Sequence, residues 1–140
     1  MWKNLLSAAP RTIDEIRRRY SKFELFRVWP EWSSPGLWTP AHIGATPVGD
    51  LFDLDELQLS DEIKARLDSW HAKHDTMLHR SITEIEMSDF RAEGLSIAIQ
   101  VSREFGPLRI VEYELADQNF LFIAGNCVAV FLRPPPPANP

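Results

Sequence analysis

Cysteine is almost missing. Cys127 stands alone among 140 residues, which excludes an intramolecular disulfide and any four-thiolate zinc site. A lone thiol suits a reducing compartment. Glycine is scarce too, with six residues, and none falls into a Walker loop, a GxGxxG turn or a GxSxG elbow. Kinase and HExxH signatures are also absent. No apolar run is long. The longest uncharged one, NFLFIAGNCVAVFL (119–132), is too short for a bilayer-spanning helix and carries Gly125-Asn126 at its centre. The opening MWKNLLSAAPRTIDE has one Lys and a short apolar pair, too little for a secretory signal core. The expectation is a soluble, cytoplasmic chain with no membrane partner. Clustered Lys and Arg, which phosphate binding needs, are lacking as well. The run RRR at 17–19 reads as a helix face with its cations near the negative C-terminal end. Nucleic acid is therefore not the expected partner.

What is present is a chain of one-domain size. At this length folding buries roughly two-thirds of the unfolded surface, so no metal or disulfide staple is required. Five Trp and eight Phe supply more aromatic surface than a small core requires, which leaves room for an exposed aromatic patch. The net charge is 15 minus 20, or −5. Six of the acids lie in DLFDLDELQLSDE, residues 50–62, which holds no basic residue. Without them the balance is 15 minus 14, or +1. The negative excess is thus local, and a local excess makes a field that steers a basic partner.

The pattern predicts one α+β domain over 1–133 and a proline-rich tail over 134–140. Three or four mainly antiparallel strands pack against two longer helices, with a short helix at the N-terminus. Thr12 and Glu15 form a capping-box pattern ahead of a helix over Ile13–Tyr20. KFELFRVWPEW reads as a strand that Pro30 ends or places at an edge. SSPGLWTPAHIGATPVG, with three Pro and three Gly in 17 residues, reads as an ordered loop pinned to the core by Leu37 and Trp38. Ser60 caps a helix with Asp61 and Glu62 in its first turn and a stripe of Ile63, Leu67, Trp70, His74 and Met77, ending near His79. Residues 90–105 fit either a strand (Leu95, Ile97, Ile99, Val101) or a helix. The Gly106-Pro107 stop and Asp89 as a cap favour helix. LRIVEYEL is a strand. FLFI and VAVFL flank AGNC as a hairpin turning at Gly-Asn, with both arms inside the sheet. RPPPPANP is a polyproline end, and the same residues fit an SH3-like groove.

Candidate chemistry is thin, and each candidate has a plain structural alternative. HAKHD offers His71, His74 and Asp75 as neighbouring ligands. Helical geometry turns His74 into the apolar stripe, leaves His71 at its edge as a surface residue and puts Asp75 further out, while His79 points nearly opposite. Cys127 falls in the expected hairpin turn, and a nucleophilic Cys requires a helix N-terminus or a His beside it. Asp53 and Asp55 fit an EF-hand start but lack its glycine. No metal, cofactor or catalytic residue is expected.

GLWTP, DLDELQLSDEIKARLDSWHAKHD and FRAEGLSIAIQVSREFGPLRIVEYE together resemble a set of small bacterial α/β proteins. These have a Leu-Trp loop, an acidic entry to a Trp-bearing helix, and a last helix ending Glu-Leu-Gly before a strand. This chain has Glu-Phe-Gly at 104–106. The resemblance spans residues 23–115 and is similar in size and charge to immunity proteins of interbacterial toxin systems. It implies a protein-binding module, an immunity protein or antitoxin, and the local acidic excess points to a basic toxin enzyme as its target, with nucleases as the fitting class because their active sites are positive. Asp50, Asp53, Asp55 and Glu56 would supply charge, and Trp32, Trp38 and Phe52 would be anchors. Two other readings stay open: a small hydrolase or transferase using His71, Asp75 or Cys127, and a subunit that self-associates through the apolar C-terminal hairpin. The sequence does not fix the oligomeric state.

Overall fold

Three N-caps fix the helices. The structure is a computed structural model that describes residues 12–30, 37–45, 50–51 (backbone alone) and 57–132. Thr12, Ser60 and Thr83 each sit in extended backbone and accept a hydrogen bond from the amide three residues on. They start α1 (Ile13–Arg19), α2 (Asp61–Met77) and α3 (Glu84–Phe105). The first two match the expected helices to within two residues. The third confirms helix over 90–105 but begins earlier than Asp89. Thr83 and Glu86 form a reciprocal capping box, a stronger start signal than a lone Asp. Arg80 donates to Glu86 at 2.6 Å and holds that carboxyl below its usual range.

Six strands, rather than three or four, form one sheet among the described residues. They are β1 (Glu24–Val28), β2 (Leu37–Thr39), β3 (Asp50–Leu51), β4 (Arg109–Leu115), β5 (Gln118–Ile123) and β6 (Asn126–Leu132), in the order β3-β2-β1-β4-β5-β6. The additional pair, β2 and β3, lies in and just after the stretch read as loop. Three and two residues flanked by Pro and Gly give no strand period to detect. Only β1 and β4 pair in parallel, so the chain must cross between them, and α2 and α3 make that crossing. The last hairpin turns at Ala124-Gly125, one residue before the expected Gly-Asn. Both residues have positive φ (51° and 81°), which suits a two-residue hairpin. β6 is an edge strand, not an interior one. Its apolar run arises because Cys127 packs towards one sheet face while Ala129 and Phe131 pack towards the other.

Each sheet face carries its own core. On one, Ile63, Leu67 and Trp70 of α2 and Ile97, Ala98 and Val101 of α3 cover Phe26, Val28, Val111 and Tyr113. Full burial of one Ile or Leu side chain contributes roughly 1.5–3 kcal/mol, so this stripe docks α2 more firmly than helix propensity does. Polar rungs tie the two helices along their exposed side. Glu104 accepts from the Ser60 amide and hydroxyl at 2.6 and 2.8 Å. Arg66 reaches Gln100 at 2.6 Å, and Lys73 pairs with Glu93 at 3.0 Å. Gly94 allows α3 its close approach. A Cβ there would lie 2.3 Å from the Tyr113 hydroxyl and 2.5 Å from the Trp70 ring. On the other face, Ile16 of α1 packs with Ile43, Ile110, Leu121 and Phe131.

That second face also buries an ion pair. Arg27 and Glu112 are register partners on β1 and β4, 3% and 0% exposed. Arg27 donates Nε and Nη2 to Glu112 Oε2 at 3.1 and 2.6 Å, and Nη1 to the Ala45 carbonyl at 2.7 Å. Glu112 Oε1 accepts from the Gly44 amide and from Asn119 Nδ2, both at 2.8 Å. Gly44 has φ +77°, and a Cβ on it would meet Ile13 Cδ1 at 2.8 Å, so glycine is needed there on both counts. Arg17 Nε adds a bond to the Ile43 carbonyl at 2.8 Å. The Arg17–Arg19 face is therefore not wholly solvated as expected.

Two outcomes follow from this packing. Glu112→Gln leaves a buried guanidinium uncompensated and should lower unfolding free energy by about 3–5 kcal/mol in urea titration, with Arg27→Met plus Glu112→Leu recovering part of the loss. Gly94→Ala should cost a net of roughly 1–2 kcal/mol by the same measurement, because overpacking outweighs the gain in helix propensity.

Candidate functional site

Of the expected partner-binding residues, Trp38 and Asp50 fall in the described part. Trp32, Phe52, Asp53, Asp55 and Glu56 lie outside the described residues, as does the tail 134–140. Trp38 sits in β2 opposite Arg27 and Leu51. It is half-buried, and its Nε1 donates to the Trp29 carbonyl at 3.2 Å. Asp50 pairs with Thr39 on the edge strand β3. The two residues are thus on neighbouring strands at one side of the sheet. In the second half of the acidic stretch the chain is pinned by Leu57 and Leu59, each 6% exposed, and Asp61 and Glu62 stand exposed in the first turn of α2.

Strand directions decide at which end of the sheet β3 finishes. β2 runs antiparallel to β1, and β3 antiparallel to β2. β3 is therefore parallel to β1 and β4, and all three leave the sheet at the same carboxyl end. In open α/β sheets that end is where crevices form. Here it holds an open cleft of roughly 450 Å³, bounded by Trp29 and Pro30 after β1, by Tyr113, Glu114 and Ala116 of β4 and its turn, and by the facing ends of α2 and α3. The volume falls within the range of binding pockets.

The candidate catalytic groups are not brought together there. His74 lines the cleft and stacks on Phe90 at 5.9 Å, in line with its place in the α2 stripe. His71 is half-buried rather than at the surface, and its Nε2 lies 3.9 Å from Asp75. Cys127 is on β6 opposite Phe122, outside the turn. Burial pushes its thiol up, while a contact to the Ala129 carbonyl opposes that slightly. Burial likewise pushes the Tyr113 phenol up, with Arg91 opposing, so Tyr113 stays a neutral donor to the Arg91 carbonyl at 2.9 Å. Among the described residues no three His, Cys, Asp or Glu converge as metal ligands, and no helix is long and apolar enough to cross a membrane.

Sequence reasoning missed both the cleft and the ion pair. Arg27 stands between Phe26 and Val28, and Glu112 between Val111 and Tyr113. That alternation is what a solvent-facing strand side looks like. Opposite charges at matching offsets in two strands were the available signal. The cleft's Leu78 and Ile82 come from the turn between the two helices, where no periodicity marks them, while Met77 ends the α2 stripe and Met87 lies in the first turn of α3.

The model of the family described as "Serratia CdiI immunity protein-like" matches residues 24–115. No curated protein matches the chain. The matched span contains β1 to β4, α2, α3 and every cleft residue except Ala116. It excludes Cys127. In the folded protein Cys127 should react with a disulfide reagent at least about tenfold more slowly than in urea, since attack requires the thiolate. Equal rates would show an accessible thiol of ordinary acidity.

Proposed function

The chain belongs to the Serratia CdiI immunity protein-like family, and from that premise we propose that it neutralises a basic toxin enzyme of the nuclease class by covering that enzyme's positive surface. The family carries an immunity role exercised on a protein toxin. The basic character of that toxin is inferred from charge. Six acids and no base occupy residues 50–62, and without them the chain is close to neutral. The active site of a nuclease is positive because it binds phosphates, and complementary potential speeds encounter and orients docking. Asp50, Asp53, Asp55 and Glu56 supply the field, with Trp32, Trp38 and Phe52 as contact residues. Those four acids lie in sequence between the edge strand β3, which Asp50 begins, and the buried Leu57 and Leu59. The lone cysteine fits action in the cytoplasm.

The observation that carries this reading is the confinement of the charge excess to one stretch. Its test is capture of a toxin from the native host on this chain, followed by association kinetics across a salt series. Asp50→Asn, Asp53→Asn, Asp55→Asn and Glu56→Gln combined should slow association about tenfold at low salt and flatten the salt dependence. Association that ignores both salt and the four substitutions would remove the electrostatic mechanism.

A further inference from the structure

The two edges of the sheet are built differently. β3 closes one side with two residues and begins on a charge, Asp50. β6 closes the other with seven residues, and no charged residue, proline or glycine is among them. Sheet edges usually carry Lys, Pro or a bulge that keeps other strands off. β6 has a bulge alone. Leu121 pairs with Ala129 and Phe122 with Cys127, so Val128 is the extra residue. Ala129–Leu132 lies beyond it and follows a regular ladder. Register places Val130 beside Phe120 and Leu132 beside Gln118, on the sheet face that α2 and α3 cover further in. Cover thins towards the rim: Phe120 and Val130 are half-buried, and Leu132 is 67% exposed. Apolar side chains thus continue to the rim of the sheet, beside backbone groups that no strand among the described residues pairs.

We propose that β6 pairs antiparallel with β6 of a second copy of this chain, joining two sheets into one. A two-fold axis at Phe131 sets Val130 of each copy opposite Leu132 of the other. Both uncovered residues then gain an apolar partner directly across the ladder, the contact that stabilises strand pairs. Three observations select a second copy rather than a foreign strand. The pairing is self-complementary, since one short segment supplies both halves of each apolar pair. Residues 118–132 hold no charged side chain, so two chains of net charge −5 meet there without like charges across the contact. The family match ends at Leu115, the last residue of β4. The span that carries the immunity role therefore stops before this hairpin. β3, where the acidic stretch begins, lies at the opposite edge of the sheet, so pairing through β6 leaves it uncovered.

The test is the mass of the full chain by sedimentation equilibrium, up to about 0.1 mM, where small interfaces of this kind associate. Mass should rise from 16.1 kDa towards twice that. Leu132→Lys alters an exposed side chain and puts a cation on the pairing edge. It should raise the dimer dissociation constant at least about tenfold at an unchanged urea midpoint. Ile85→Lys, on α3 and 75% exposed, should leave that constant within about twofold. Register is read separately by mixing Val130→Cys and Leu132→Cys chains, both also carrying Cys127→Ser, under mild oxidation. Disulfides should join unlike chains at least about fivefold over like chains, because only that pair lies directly opposite. A mass of 16.1 kDa at the highest concentration overturns the proposal, as does a dimer that Leu132→Lys leaves intact. Crosslinking that ignores chain identity overturns the antiparallel register. A monomer whose β6 amides gain protection only when toxin is added would give this edge to a strand of the toxin instead.

Discussion

The Arg27–Glu112 pair is the constraint on which this fold turns. Two charges taken out of water are tolerable only if nearly every donor and acceptor is matched. Here the carboxylate receives Arg27, the Gly44 amide and Asn119, and the guanidinium also holds the Ala45 carbonyl. Those bonds reach β1, β4, β5 and the connection between β2 and β3. They also specify register. A one-residue slip of β1 against β4 would turn a charge towards the apolar layer beneath α2 and α3, where nothing answers it. The pair therefore selects one parallel alignment at the centre of a sheet whose other neighbours are antiparallel.

That alignment has consequences at the far end of the strands. The Gly44–Ala45 segment is clamped beside the ion pair, and the chain then continues to β3. The direction of β3 and the point where the acidic stretch departs are set from inside the sheet. α2 and α3 meanwhile meet above the carboxyl ends of β1 and β4, where Trp29, Phe90 and Tyr113 form one side of an open cleft. The strand that leads into the acidic stretch and the strands that bound the cleft are thus aligned by a single buried pair.

Much of this was legible in residue pattern. The helices announced themselves through Thr12, Ser60 and the Ile63–Leu67–Trp70 stripe, since capping and a 3.6-residue period are local signals. The α3 start is less legible because Asp89, six residues after the true cap Thr83, is itself a plausible cap. β2 and β3 were illegible because strands of three and two residues exist only through their partners. The ion pair was hidden for the same reason: Glu112 next to Val111 looks solvent-facing until α1 and the 43–45 segment are seen to cover it. Of the proposed site, the acidic surplus was plain in composition. The cleft was not, because it is assembled from five separate stretches of chain.

Hydrogen–deuterium exchange on the free and toxin-bound protein would decide whether the acidic stretch is the toxin-facing surface. New protection should appear over Asp50–Glu56, with little change along β6 or the exposed side of α1. Protection concentrated on β6 and absent from Asp50–Glu56 would contradict the account and place the interface elsewhere on the fold.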